Sequence, residues 1–119
     1  MNQRAKAPVA VAIDDRRQHD RVTGPFDGLR VNALETPVRI YDLSEGGCFV
    51  NSTHEQQPGV DFELKIDLPH EGWISLTART LYRKPEFGFA VRFSDLTDEA
   101  MARLRRAIGH IKRRAPHDV

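Results

Sequence analysis

Residues 60–68 read Val-Asp-Phe-Glu-Leu-Lys-Ile-Asp-Leu, and this stretch indicates the fold of the chain most clearly. Apolar side chains occupy every second position from Val60 to Leu68, and charged side chains fill the positions between them. Successive side chains of a β-strand point to opposite faces of the sheet. The alternation therefore predicts a strand with one buried face and one solvated face.

Five other stretches repeat this pattern in shorter or less regular form, and turn residues separate them at intervals of about ten residues. They lie around residues 29–31, 38–40, 46–50, 73–83 and 87–93. In the last of them the aromatic side chains alternate as core residues should, at Phe87, Phe89 and Phe93. Six strands this short predict a mostly β fold, built as an antiparallel barrel or sandwich.

The spacing of apolar residues changes after residue 96. They now fall three or four positions apart, at Met101, Leu104, Ile108 and Ile111. This spacing is typical of one face of an α-helix, and Thr97 provides a side chain that favours the N-cap position. We therefore predict an amphipathic helix at about residues 97–113, with a last turn that Gly109 weakens.

The elements define one domain, since a chain of 119 residues suits a single hydrophobic core. Residues 1–15 show no periodicity and are interpreted as a flexible N-terminal arm. Residues 16–113 are interpreted as the domain, with the barrel at about 22–94 and the helix after it. Residues 114–119 are left as a C-terminal tail.

The charge of the chain is small in total and uneven along its length. The formal net charge is +1, yet residues 97–114 carry six positive and two negative side chains, for +4, which leaves −3 on the remainder. No stretch approaches the roughly 20 apolar residues of a membrane-spanning helix, and no secretory leader is recognisable, so we expect a cytoplasmic protein without membrane insertion. The one cysteine, Cys48, stands in an apolar run, where core packing is the commoner role than redox chemistry.

Two short motifs carry the residues best suited to bind an anionic ligand. Arg17 and Arg21 stand four positions apart, with Arg16 directly before them. About twenty-five residues later the chain reads Asp42-Leu-Ser-Glu-Gly-Gly47, at the turn between the second and third predicted strands. Either motif alone is more often an exposed surface or an ordinary turn, in which Asp and Ser cap backbone amides and Gly takes a positive φ. Their order and separation make the pair specific.

Together, Arg-x-x-x-Arg and Asp-x-Ser-x-x-Gly resemble the paired signature of the PilZ domain family. The resemblance covers about residues 15–113, because Gly88–Phe93 is similar to the family's last barrel strand and a closing helix follows. It implies a six-stranded antiparallel β-barrel with a C-terminal α-helix, acting as a receptor for cyclic di-GMP without a cofactor. The implied ligand-binding residues are Arg16, Arg17, Arg21, Asp42, Ser44, Gly46 and Gly47.

The chemistry of these residues agrees with that ligand, which presents two phosphates and two guanines. Arginine can bond phosphate oxygens or the O6 and N7 atoms of guanine, and the carboxylate of Asp42, with Ser44, can accept guanine N1 and N2 donors. Gly46 and Gly47 keep the turn free of side chains. We expect the ligand to order the N-terminal arm, which a downstream effector protein then recognises; the resemblance leaves motility, polysaccharide and adhesion control open.

The number of ligands follows from Arg16. Cyclic di-GMP can self-associate into an intercalated pair, and a third guanidinium could stack on its outer guanine. We therefore predict two ligands per chain, against the alternative that Arg16 points to water and one ligand binds.

Two other functions are weighed against a receptor. Catalysis is disfavoured, because the five histidines show no metal-ligand spacing, Cys48 has no evident histidine partner, and no Gly-rich phosphate loop precedes a helix. The stronger alternative is a small barrel that binds nucleic acid through the basic helix. It is disfavoured because Phe87, Phe89 and Phe93 are expected in the core and the helix contains no Phe, Tyr or Trp, whereas a stacking platform needs exposed aromatic residues among basic groups.

Overall fold

The computed structural model describes residues 21–53 and 57–114, and in this part of the chain the predicted fold is confirmed. The elements are β1 (Phe26–Val31), β2 (Glu35–Tyr41), β3 (Gly47–Asn51), β4 (Asp61–Leu68), β5 (Gly72–Lys84), β6 (Gly88–Ser94) and helix α1 (Asp98–Arg114). The predicted arm, with Arg16 and Arg17, lies outside the described residues, and so does the tail beyond residue 114.

The six strands form a closed barrel in the order β1-β2-β3-β6-β5-β4. Every neighbouring pair is antiparallel, and the pairing of β1 with β4 closes the barrel. Closure leaves no sheet edge with unpaired backbone groups among these strands. The strands therefore present one continuous outer surface, on which a site can extend across several of them.

The interior contains the alternating side chains that the sequence indicates, with three exceptions. In β4 the residues Phe62, Leu64, Ile66 and Leu68 are buried, but Val60 is 42% exposed because it precedes the strand. Phe87 is 55% exposed, so its predicted place in the core is wrong. It lies in the turn before β6, which the hydrogen bond from Phe87 N to the Lys84 carbonyl closes (2.9 Å).

The third exception is β1, where Leu29 and Val31 are only half-buried and Gly28 and Arg30 take the inward positions. A side chain at Gly28 has no room, because a Cβ there would lie 2.9 Å from Cγ1 of Ile40. The space beside Gly28 is thus filled by Ile40 of β2, and Arg30 is the buried side chain that β1 contributes.

Helix α1 packs against one end of the barrel through Leu104, Ala107 and Ile108, all buried. The predicted N-cap is confirmed, since Ala100 N donates to Oγ1 of Thr97 (3.0 Å). The helix continues through Gly109 to Arg114 without a break. Within the described residues, no helix is long and apolar enough to cross a membrane.

Candidate functional site

A short backbone pairing brings the second arginine of the first motif next to the second motif. Val22 and Leu43 form an antiparallel bridge with two hydrogen bonds of 2.9 Å, and Asp42 N donates to the Thr23 carbonyl (3.2 Å). Val22 and Leu43 are both buried, so the bridge is anchored in the core. The pairing holds exposed Arg21 beside the turn Asp42–Gly47, which we call the motif turn.

A groove of about 600 Å³ lies at this junction. It is lined by five of the seven predicted ligand residues, namely Arg21, Asp42, Ser44, Gly46 and Gly47. The other two, Arg16 and Arg17, lie outside the described residues. Arg21 and the motif turn, about twenty residues apart in sequence, thus share one concave surface.

Ser44 organises the motif turn from within. Its side chain is buried, and its Oγ accepts hydrogen bonds from Gly46 N (3.1 Å) and Gly47 N (3.3 Å). The same hydroxyl lies 3.3 Å from the Gly47 carbonyl, to which it donates. The turn is further joined to β6, because Phe93 N donates to the Gly46 carbonyl (2.8 Å). Ser44 therefore fixes the backbone geometry on which the groove depends.

Gly47 is required by a close approach between strands. A Cβ on Gly47 would lie 2.1 Å from the carbonyl oxygen of Val91, far inside contact distance. A positive φ in this turn belongs to Asp42 (52°), a residue type that tolerates the left-handed region better than most. The left-handed backbone turns the chain from β2 into the motif turn and leaves the Asp42 side chain exposed in the groove.

Cys48 also lies along the groove, but its thiol is part of the core. The residue is 7% exposed and packs with the buried barrel residues, which confirms the expected core role. Burial, and to a lesser degree the negative charge of Asp42, raise the pKa of the Cys48 thiol far above its ordinary value. Burial thus favours the neutral thiol, which suits a packing role.

The groove contains residues that the sequence motifs do not reveal. Strands β3, β5 and β6 contribute outward-facing side chains to it, at Phe49, Leu81, Tyr82, Ala90 and Arg92. Leu81 lies at a β-bulge, between the paired residues Thr80 and Tyr82, so that both Leu81 and Tyr82 are exposed. Alternation in β6 indicated that Arg92 faces outward, but only the register shows which neighbours it has.

Much of the basic helix is engaged with the barrel. Arg103 and Arg106 both contact the carboxylate of Glu71 in the turn between β4 and β5, at 3.5 and 3.1 Å. Arg103 also donates to the Glu71 carbonyl. On the other side Arg105 pairs with Glu45 of the motif turn (3.1 Å). These cations hold the helix on the barrel. No cluster of three metal-ligating side chains occurs among the residues described.

Comparison with known proteins gives the family. The model of the PilZ domain matches residues 15–110, most of the chain, and the chain belongs to the PilZ family. No curated protein sequence matches it.

Solved structures share the fold at low sequence identity. YcgR of Escherichia coli in complex with c-di-GMP is 22% identical, with a TM-score of 0.72, over 87% of this chain and 49% of that one. The isolated PilZ domain of YcgR with c-di-GMP is 19% identical, with a TM-score of 0.67, over 87% and 96%. The Bacillus subtilis inhibitor of motility MotI/DgrA is 22% identical, with a TM-score of 0.68, over 84% and 53%. The chain thus spans about half the length of YcgR and MotI/DgrA.

Proposed function

We propose that this protein is a cytoplasmic, non-catalytic receptor for cyclic di-GMP. The observation that carries the proposal is the groove in which Arg21 meets the motif turn on a PilZ barrel. The structures of YcgR with c-di-GMP, which share the fold, support the same ligand. The binding residues we assign are Arg16, Arg17, Arg21, Asp42, Ser44, Gly46 and Gly47.

The assigned residues act in two ways, by charged contacts with the ligand and by shaping the backbone of the groove. Arg21, with Arg16 and Arg17 before it, meets phosphate oxygens or guanine acceptors through charge-assisted hydrogen bonds. The carboxylate of Asp42 accepts from guanine N1 and N2. Ser44 acts through the backbone by fixing the motif turn, and Gly47 allows β3 to approach β6.

The output we propose is a change in the N-terminal arm, residues 1–15, and in the arginine motif that follows it. A ligand with two phosphates bonds the arginines there and the barrel together, and this fixes the segment that precedes the bridge at Val22. A separate effector protein then binds the segment that the ligand has ordered. Control of motility is the output that the name of the Bacillus subtilis neighbour, inhibitor of motility, supports. Domain boundaries at about residues 16 and 113 belong to the same proposal.

Nucleic-acid binding by the helix is the competing function, and the ion pairs of α1 count against it. Three of the helix's basic residues, Arg103, Arg105 and Arg106, already pair with carboxylates of the barrel. Trp73, Tyr82 and Phe87 are exposed, so burial of the aromatic residues does not count against this function, but α1 itself contains no Phe, Tyr or Trp on which a base could stack.

Calorimetry with the unmodified chain tests the proposal. We expect saturable binding of cyclic di-GMP that persists at about 150 mM salt. A random single strand of DNA serves as the comparison, since non-specific electrostatic binding weakens steeply with added salt. Absence of cyclic di-GMP binding would overturn the receptor function, and tight, salt-resistant binding of the DNA would favour the competing one.

A further inference from the structure

Three outward-facing residues on three neighbouring strands lie in one row across the groove. Phe49 of β3 and Tyr82 of β5 are both register partners of Ala90 in β6. All three line the groove, and none of them belongs to either sequence motif. The row has an aromatic side chain at each end and a single methyl group between them. We call these residues the aromatic slot.

The width of the slot suits one planar base. Neighbouring strands are about 4.8 Å apart, so the backbones that carry Phe49 and Tyr82 are separated by about 10 Å. A base between two rings needs a van der Waals separation of about 3.5–4 Å on each face, about 7–8 Å in total. Ala90 leaves that space open above the sheet. Tyr82 is 57% exposed, so much of its side chain is accessible to a ligand.

The β-bulge explains how Tyr82 comes to flank this space. Thr80 pairs with Val91 and Tyr82 pairs with Ala90 in β6, so Leu81 is an extra residue between the two pairs. Such a bulge bends its strand and redirects side chains. Thr80, before the bulge, continues the alternation of β5 and points into the core, at 1% exposed, whereas Leu81 and Tyr82 both line the groove. In a regular strand only one of them would do so.

Arg92 provides a polar group at one end of the slot. It lies two residues after Ala90 in β6, on the same outer face and about 7 Å along the strand. The register partner of Arg92 in β3 is Gly47, which has no side chain that could cover the Arg92 guanidinium. Among the described residues Arg92 makes no ion pair, whereas its other partner, Arg79, is bonded to Asp61 (2.7 Å). Its guanidinium is therefore available to a ligand.

We propose that the aromatic slot holds one guanine base of cyclic di-GMP, stacked between Phe49 and Tyr82 above Ala90, with Arg92 donating to guanine O6 and N7. This assignment rests on the proposed function and adds to it four residues of β3, β5 and β6. Stacking between aromatic rings provides affinity, and the planar fork of arginine distinguishes guanine from adenine, which has an amino donor in place of O6.

Substitutions on the slot test the assignment by calorimetry. Tyr82→Ala is expected to weaken cyclic di-GMP binding by about 5- to 150-fold, the range measured for loss of one stacked base. Ala90→Leu, which fills the slot, is expected to have an effect of similar size, and Arg92→Ala to weaken binding at least about fivefold. The matched controls are Trp73→Ala, an exposed aromatic residue on the same strand, and Arg39→Ala, an exposed arginine on β2; both should bind as the unmodified chain does.

A second measurement needs no substitution. The methyl resonance of Ala90 should shift downfield when the unmodified chain is saturated with cyclic di-GMP, because this methyl faces the edge of the stacked base, where the ring current deshields. The methyl of Ala78, buried inside the barrel, is the internal control. If Arg21→Ala loses affinity while the slot variants do not, and Ala90 does not shift, the slot is wrong and the receptor function stands. If the unmodified chain binds no cyclic di-GMP, both fail.

Discussion

Asp42 connects the two halves of the candidate site. Its backbone amide bonds the Thr23 carbonyl, next to Val22, while its carboxylate is exposed in the groove. Glu45, only three residues later, also lines the groove, but its carboxylate is paired with Arg105 at 3.1 Å. Two acidic residues of one turn thus have different surroundings, since one faces the open groove and the other is paired with the helix.

This difference gives the first prediction. Asp42→Ala should weaken cyclic di-GMP binding by about 1.5 to 3 kcal/mol, the range for hydrogen bonds to a charged group. Glu45→Ala should leave binding within about 0.5 kcal/mol, since an exposed ion pair contributes little. Calorimetric titration of both variants measures this. Equal losses would indicate a general acidic requirement, which an anionic ligand does not explain, and would count against guanine recognition by Asp42.

The arginines of the first motif give a second prediction at the same scale. Arg17→Ala and Arg21→Ala should each weaken binding by about 1.5 to 3 kcal/mol. Because Arg21 is exposed and only its neighbour Val22 is buried, Arg21→Ala should barely change the melting temperature, whereas Val22→Ala should lower it. Melting curves and titrations separate the two effects, and unchanged affinity in the double arginine variant would refute the site.

At the scale of elements, α1 is joined to two turns at opposite sides of the barrel end. Arg105 pairs with Glu45 in the motif turn, and Arg106 pairs with Glu71 in the turn between β4 and β5. The buried residues Leu104 and Ala107 lie between these contacts. The basic side chains that first indicated a nucleic-acid surface therefore serve, in half of the cases, to fix the helix on the barrel.

Glu71 makes this arrangement sensitive to acid. Hydrogen bonds from Arg106, and further contacts with Arg103, hold the pKa of Glu71 below its ordinary value. A carboxyl whose pKa is lower in the folded than in the unfolded state stabilises the fold above its unfolded pKa, and the contribution is lost as pH falls through the folded pKa. The contribution of Glu71 is thus present at neutral pH and disappears in the range below about pH 4.3.

The third prediction follows from the lowered pKa of Glu71. Glu71→Gln should lower the melting temperature at pH 7, and the difference from the unmodified chain should shrink as the pH is lowered from 5 to 3. Calorimetric melting curves across this range measure it. Glu86→Gln, a change at an exposed turn residue, is the matched control and should show no such convergence. A difference that stays constant with pH would mean that the ion pairs of Glu71 do not contribute.

At the scale of the whole molecule, the sequence predicts the barrel well because alternation and helical spacing are local properties. The errors at Val60 and Phe87 arise where alternation continues past the end of a strand, and the error in β1 arises because Gly28 leaves its space to Ile40. The motif residues are predicted through the resemblance of their order and spacing to the PilZ signature, and five of the seven line the groove. Phe49, Tyr82 and Ala90 are not predicted, since they meet only through the register of three strands and a bulge, which no local pattern contains.

The number of ligands bound by the whole chain is the last prediction. Two molecules of cyclic di-GMP carry four phosphates, and Arg17 and Arg21 alone are few cations for that charge. Arg16 adds a third guanidinium, which can stack on the outer guanine of an intercalated pair with a contribution of about 0.5 to 2 kcal/mol. Calorimetry should therefore give two ligands per chain, and Arg16→Leu should reduce this ratio to one while the melting temperature stays unchanged. The same substitution at Arg39, on β2, should keep the ratio at two. A ratio near one in the unmodified chain would contradict binding of an intercalated pair, and with it the proposed role of Arg16.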